Sequence, residues 1–152
     1  AGPMTSSSSK LRYEGFLQML RNYQLPFYED KWLFHSNLNM EDGQRVANEY
    51  LKNDLPPAVI LANDLTALGF LNGMQEHGKR IPEECSIVSY DNIRYAALLA
   101  INLTTVDQRA EEMSELAARM VIKRIKTPTA PFERIMLDPI LIQRGSTALR
   151  KQ

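Results

Sequence analysis

Apolar residues occur in two patterns along the chain, helical spacing and continuous runs, and these patterns predict its helices and strands. Spacing typical of one helical face occurs in residues 11–24, 41–52, 65–77 and 109–126. The sequence predicts a short strand at 31–35, and apolar runs predict buried strands at 58–62 and 85–91. An extended stretch is predicted at 103–108, and two short strands flank Asp138 and Pro139. A short helix is predicted within 92–100. This alternation is typical of an α/β fold with a parallel sheet.

Two predicted strands end in a pair of polar residues. Asn63 and Asp64 follow one strand, and Asp91 and Asn92 follow the next. Ligands of open parallel sheets bind beyond the carboxyl ends of the strands, so Asn63, Asp64 and Asp91 are candidates. Each has a structural alternative. Asp64 is well placed to cap the following helix, which we favour, and Asp91 can begin a turn with Asn92; capping explains Asn63 less well.

Length, net charge, cysteine content and the length of apolar runs narrow the range of possible functions. The chain has 152 residues, enough for one domain, and its 18 basic and 18 acidic residues balance to a net charge of zero, which does not indicate a nucleic-acid surface. The single cysteine, Cys85, excludes a disulfide within the chain and fits a small buried residue. No apolar run reaches the ~18–20 residues of a membrane span, and no signal peptide opens the chain. These features predict a cytoplasmic location.

No catalytic or metal-binding signature is present. The sequence lacks phosphate-binding glycine loops, a nucleophile elbow and zinc-protease motifs. His35 and His77 lie far apart and lack metal-ligand spacing. We therefore predict no catalytic residue, no metal, no cofactor and no enzyme activity.

Five segments together resemble a known family. "RYEGF" near the start, "PPAVILANDLTALGFLNG", "GKRIPEECSIVSYDN", "LTTVDQ" and the closing "PILIQRGST" occur in order over residues 8–147. This set resembles the effector-binding domain of the lactose-repressor (LacI/GalR) family. The resemblance implies one lobe of a periplasmic-binding-protein-like, two-lobe domain, with a doubly wound parallel sheet flanked by helices. It also implies a bacterial transcription regulator whose cleft binds a sugar or sugar phosphate.

The resemblance also implies roles for single residues. Arg12 matches an arginine that reaches the effector from the first helix, and Asn63 and Asp91 match residues that bind its hydroxyl groups. Gln108 matches a glutamine near the cleft, and Ser8 lies in a loop that adds a polar contact. Leu38 stands where the family often has an aromatic residue that stacks on the ligand. The leucine leaves open whether a stacking surface exists or the loop is aligned differently.

The resemblance divides the chain into unequal parts. Residues 1–7 are interpreted as a tag or loop, 8–105 as the C-terminal lobe, and 131–152 as its closing strands and tail. Residues 106–130 are a crossover and a helix that, in the family, belong to an N-terminal lobe missing here. The apolar stripe of that helix should then be exposed. We expect the helix to fold back on its own lobe or to pack against a second copy.

The resemblance favours the effector-binding part of a regulator, with a small-molecule effector and a homodimer as partners and no membrane. Operator DNA would be bound only through a helix-turn-helix headpiece that this chain lacks. One alternative is a transport-type periplasmic sugar-binding protein of the same fold, which would carry a secretion signal. Another is a flavodoxin-like enzyme or receiver domain, but the acidic cluster and lysine of a receiver are not placed here.

Overall fold

The computed structural model describes residues 1–52, 56–97 and 102–149. Five α-helices lie in this part of the chain: α1 Ser7–Asn22, α2 Glu29–Trp32, α3 Met40–Tyr50, α4 Asp64–Glu76 and α5 Ala110–Lys126. Four strands accompany them: β1 Ala58–Ile60, β2 Ser86–Tyr90, β3 Thr104–Asp107 and β4 Ile140–Ile142. A 3₁₀-helix at Arg94–Ala97 occupies part of the short helix predicted within 92–100. Residues 98–100 of that prediction lie outside the described residues.

The strands form one sheet in the order β1-β2-β3-β4. The first three strands are parallel, with Val59 opposite Ile87 and Val88 opposite Thr104. The α/β class and the parallel arrangement of these strands are therefore confirmed. β4 runs antiparallel to β3, with Leu141 opposite Val106, so the sheet is mixed.

The core lies between the α3–α4 pair and the sheet. Its fully buried side chains include Phe70, Met74, Ile87 and Leu103. α3 and α4 meet at glycines, because a Cβ atom on Gly69 would lie only 1.9 Å from the Met40 carbonyl oxygen. The two helix backbones thus touch directly. Cys85, 1% exposed, belongs to the same core, as predicted.

The predicted strand at 31–35 is wrong. Residues 29–32 instead form the single turn α2, closed by a hydrogen bond of 2.8 Å from the Trp32 amide to the Tyr28 carbonyl. The rings of Tyr28 and Trp32 pack edge to face, 4.8 Å apart, and stabilise this turn. Beyond it the backbone is extended at Leu33 but has no strand assignment.

Only one of the two strands predicted around Asp138 and Pro139 forms. β4 follows Pro139, whereas residues 131–139 have no regular structure. Phe132 is 91% exposed and Met136 is 76% exposed. The segment contacts α5 through the Lys123–Glu133 ion pair and the Arg124–Phe132 cation–π contact, and no strand of the described sheet pairs with it.

Helix α5 does not fold back on the lobe, contrary to one of the two predicted outcomes. None of its residues is buried, and Met113 and Val121 on its apolar stripe are more than half exposed. Packing of α5 against a second copy stays a prediction. No helix in the described residues is both long enough and apolar enough to cross a bilayer.

Candidate functional site

Arg12 extends from α1 to the carboxyl ends of the parallel strands. One terminal nitrogen donates to the Ala62 carbonyl at 3.0 Å, and the other donates to the side-chain oxygen of Gln108 at 2.9 Å. Its guanidinium lies 4.4 Å from the centre of the Tyr90 ring, a cation–π distance. Contacts to three separate elements fix the orientation of a side chain that would otherwise be flexible.

Gln108 links Arg12 to Asp91. Its amide nitrogen donates to one carboxylate oxygen of Asp91 at 2.5 Å. The second carboxylate oxygen accepts no hydrogen bond from a described residue. Arg12, Gln108 and Asp91, called the strand-end triad below, therefore come together from α1, the end of β3 and the end of β2.

The backbone at Asp91 is strained. Its φ of 109° and that of Asn92, 52°, are left-handed values that non-glycine residues rarely adopt. The turn is held by a bond of 3.0 Å from the Asp91 amide to the Val106 carbonyl. Strain of this kind clusters where a side chain must be presented to a ligand.

Burial raises the pKa of Asp91, and the nearby negative charge of Asp64 adds to that rise. Arg12 and the Gln108 hydrogen bond oppose it and lower the pKa. Desolvation thus disfavours the charged form of Asp91, whereas the positive charge of Arg12, linked to it through Gln108, favours that form.

Asn63 caps α4. Its side-chain oxygen accepts from the Thr66 amide at 2.9 Å, and its nitrogen donates to the Leu38 carbonyl at 3.0 Å. The preference for Asp64 as the cap, and against Asn63, is therefore wrong. One amide hydrogen and one lone pair of Asn63 are not used by a described residue, and its role as an effector contact stays a prediction.

Asp64 is instead the centre of a buried network. It is fully buried, and one carboxylate oxygen accepts from the hydroxyls of Ser89 and Thr105, the latter at 2.7 Å. The other oxygen accepts from the Ile93 amide at 2.9 Å. Asp64 thereby ties α4 to β2, to β3 and to the turn that carries Asp91.

The remaining two predicted residues differ in placement. Leu38 is half-buried, has a left-handed φ of 67°, and offers its carbonyl to Asn63, so it adjoins the site through its backbone. Ser8 is exposed in the first turn of α1, and its hydroxyl pairs with that of Ser6 at 2.9 Å. Among the described residues no hydrogen bond connects Ser8 to the strand-end triad.

Sequence reasoning missed a second layer of polar residues behind Asp91. Asn92 donates to Asp107 at 3.0 Å and accepts from Arg144 at 2.7 Å. Arg144 also donates to the Leu103 carbonyl at 2.8 Å. The closing "QRGST" segment, which contains Arg144, was the available signal, and its position next to β3 explains how it supports the turn.

The site offers hydrogen-bond donors and acceptors to a ligand. The guanidinium of Arg12 has five N–H groups, of which two donate to described residues, and the second carboxylate oxygen of Asp91 accepts from no described residue. No group of three metal-ligating side chains occurs among the described residues. A molecule with adjacent hydroxyl groups matches this mixture of donors and acceptors.

Comparisons with known proteins agree with this arrangement. Residues 1–147 match the family described as periplasmic binding protein-like domain. The HTH-type transcriptional repressor PurR of Mannheimia succiniciproducens is 34% identical over 144 residues, which are 94% of this chain and 43% of that protein. The chain thus spans less than half the length of this curated relative.

Solved structures show the same lobe. A LacI family transcriptional regulator from Enterococcus faecium with bound ribose has a TM-score of 0.87 and 31% identity, over 97% of this chain and 55% of that one. The transcriptional regulator CelR in complex with cellobiose has a TM-score of 0.84 and 28% identity, over 96% and 45%. These matches confirm the fold class and the resemblance. The chain belongs to the periplasmic binding protein-like domain family.

Proposed function

We propose that this chain is the effector-binding lobe of a bacterial transcription regulator of the LacI family. The observation that carries the proposal is the strand-end triad, in which Arg12, Gln108 and Asp91 meet at one edge of the sheet, with N–H groups of Arg12 and one oxygen of Asp91 not bonded to any described residue. This edge is where open parallel sheets bind ligands.

The effector proposed is a sugar or a sugar phosphate. An ionised Asp91 accepts hydrogen bonds from one or two hydroxyls, and the planar fork of Arg12 donates to neighbouring oxygens. The ribose and cellobiose held by two structural relatives support this class. Leu38 gives no aromatic surface for stacking, so recognition would depend on the hydrogen bonds.

The whole protein would act in the cytoplasm as a homodimer and not as an enzyme. The repressor and regulator relatives support this reading over a transport-type sugar-binding protein. Effector binding would alter the protein's affinity for operator DNA, which would be contacted by a headpiece outside this chain.

A thermal-shift screen of the full-length protein tests the proposal. The panel contains ribose, cellobiose, sugar phosphates and nucleobases. A ligand at 100 times its Kd adds about 2.7 kcal/mol to the free energy of unfolding, which is visible as a higher Tm. We expect a hit among the sugars or sugar phosphates.

Two matched pairs of variants then test where on the protein the compound found in the screen binds. Arg12→Lys should weaken it, because a lysine cannot reproduce the fork, whereas Arg21→Lys on the exposed face of the same helix should not. Asp91→Asn should weaken it, whereas Asp138→Asn at an exposed site should not. A hit that responds equally to both members of each pair would refute the proposed site.

A further inference from the structure

Asp91 lies in a strained turn that neighbouring residues must hold. Asp91 and Asn92 are consecutive and both have a positive φ, 109° and 52°. Strained backbone of this kind persists only where the surrounding structure restrains it. Asp91 itself bonds through its amide to the Val106 carbonyl and through its carboxylate to Gln108. The residue after it, Asn92, adds further restraints.

Asn92 makes three hydrogen bonds to other parts of the sheet. Its amide donates to the Thr105 hydroxyl at 3.3 Å, and its side-chain nitrogen donates to the Asp107 carboxylate at 3.0 Å. Its side-chain oxygen accepts from Arg144 at 2.7 Å. Thr105 and Asp107 belong to β3, and Arg144 follows β4. Asn92 therefore ties the turn after β2 to two neighbouring segments.

The two side-chain partners require an amide at this position. A guanidinium can only donate hydrogen bonds, and an ionised carboxylate can only accept them. Arg144 therefore needs an acceptor and Asp107 needs a donor, and the amide of Asn92 supplies both. Asp107 is held in turn, because its other oxygen accepts from the Arg109 amide at 2.6 Å. An aspartate in place of Asn92 would keep the contact with Arg144 but would set two carboxylates against each other.

Asp91 and Asn92 bond to consecutive residues at the end of β3. Gln108 donates to Asp91, and Asn92 donates to Asp107, so two amide–carboxylate hydrogen bonds join the ends of β2 and β3. Adjacent residues share a rigid peptide unit, so a movement of Asn92 also moves Asp91. The position of Asn92 therefore affects the bond between Asp91 and Gln108, and through Gln108 it affects Arg12.

We propose that Asn92 is a positioning residue of the candidate site. Held by Asp107 and Arg144, it fixes the turn so that one carboxylate oxygen of Asp91 meets Gln108 and the other is presented to an effector. These three residues, Asn92, Asp107 and Arg144, are called the Asn92 clamp below. The inference rests on the proposed function only in taking Asp91 as an effector contact, since the clamp itself consists of hydrogen bonds within the lobe.

Reversal of the hydrogen-bond polarity tests the Asn92 clamp. Asn92→Asp should break it, because Asp107 would face a second carboxylate. Asp107→Asn should also break it, because an acceptor oxygen becomes a donor group opposite the Asn92 nitrogen. The double variant again places a donor opposite an acceptor and leaves an acceptor for Arg144. The matched control is Asn37→Asp, since Asn37 donates to Asp42 at 2.9 Å in an exposed contact of the same kind.

A glycine variant separates the side-chain contacts from the backbone conformation. Asn92→Gly accepts a positive φ without strain but removes both side-chain bonds of the clamp. It should therefore resemble Asn92→Asp. An Asn92→Gly chain that behaves like the parent in the measurements below would show that backbone preference alone holds the turn, and would overturn the proposal.

Hydrogen exchange of the ¹⁵N-labelled chain gives a local readout without any ligand. The Asp91 amide bonds to the Val106 carbonyl beside the site, and the Leu61 amide bonds to the Val88 carbonyl within the sheet. A general loss of stability would raise both exchange rates equally. Loss of the clamp should raise the rate of Asp91 relative to that of Leu61 by about tenfold in Asn92→Asp and Asn92→Gly.

The other variants have their own expected results. The double variant should return the ratio of the two exchange rates to within about threefold of the parent value, and Asn37→Asp should leave it unchanged. In Asn92→Asp the side-chain amide signals of Gln108 should also move towards those of a solvated glutamine. An unchanged exchange ratio in Asn92→Asp, or a double variant as perturbed as the two single variants combined, would overturn the proposal.

A ribose titration of the full-length protein separates this proposal from the proposed function. Asn92→Asp should raise the Kd of ribose by about tenfold or more, the loss expected when one hydrogen bond to a charged group is misplaced, and the double variant should recover most of it. An equal Kd in the parent and Asn92→Asp would overturn the positioning role. A parent that binds no ribose would count against ribose as the effector, and the exchange ratios would then decide for or against the Asn92 clamp.

Discussion

Replacement of Asp64 by alanine should cost more stability than any single exposed substitution in this lobe. The carboxylate is fully buried and accepts hydrogen bonds from Ser89, Thr105 and the Ile93 amide. Alanine leaves these three donors without an acceptor. Each buried unsatisfied donor costs about 1–3 kcal/mol. Because hydroxyls can rotate towards other acceptors, the expected loss is about 3–6 kcal/mol.

Asp64→Asn should be milder. An asparagine can turn its oxygen to the Ile93 amide and its nitrogen to the two hydroxyls, which then accept instead of donating. The charge-assisted strengthening is lost and the two hydroxyl hydrogens must turn to other acceptors, but each hydroxyl keeps a hydrogen bond, so the expected loss is about 1–3 kcal/mol. The expected order of destabilisation is therefore Asp64→Ala, then Asp64→Asn, then the exposed control Asp138→Ala.

Urea denaturation followed by circular dichroism measures these values, with the free energy extrapolated to water. Thr105→Val combined with Asp64→Asn gives a double-mutant cycle, and contacting residues should show a coupling of about 0.5–3 kcal/mol. The network would be refuted if Asp64→Ala fell within about 0.5 kcal/mol of Asp138→Ala, the usual range for neutral surface changes.

Further predictions concern packing, pH and α5. Gly69→Ala should destabilise the lobe by about 1–3 kcal/mol as an overpacked contact, because the added Cβ would meet the Met40 carbonyl. The control Gly15→Ala adds its Cβ in open space and should stabilise the lobe by about 0.5–1 kcal/mol. Equal changes in the free energy of unfolding, measured in urea, would contradict the close contact between α3 and α4. Burial raises the pKa of Asp91 above 3.8, so the folded state binds more protons than the unfolded state just above pH 3.8. The free energy of unfolding should therefore fall as pH rises through that window. Asp91→Asn should reduce this fall in urea titrations at several pH values, and an unchanged pH profile would contradict the raised pKa. If α5 pairs with a second copy, Val121→Glu should lower the mass seen by analytical ultracentrifugation, and a monomeric parent chain would contradict that pairing.

The regular part of the fold was predictable because its signals are local. Apolar runs located β1 and β2, and helical periodicity located α3 and α4, since these elements bury their side chains in one core. The segment 31–35 has the composition of a strand, but a strand requires a neighbour, and the sequence pattern does not show whether one is present. The strand predicted before Pro139 was wrong for the same reason.

The candidate site was predictable at the level of the strand ends and not at the level of single atoms. Asn63 and Asp64 are adjacent in the sequence and chemically similar, so local rules could not tell the helix cap from the buried acceptor. That difference is set by Ser89 and Thr105, hydroxyl groups that reach Asp64 only when β2 and β3 are adjacent. Arg144 was overlooked because it is distant from Asn92 along the chain.

A titration of this chain, labelled with ¹⁵N, with the sugar or sugar phosphate found in the thermal-shift screen is the most direct test of the central claim. The account predicts changes in the ¹H–¹⁵N signals of the Arg12 side chain, the Gln108 side-chain amide and the Asp91 and Asn92 backbone amides. Signals of α5 should stay in place. No change in the triad signals, or changes confined to α5, would contradict the assignment of the effector site to the strand-end triad.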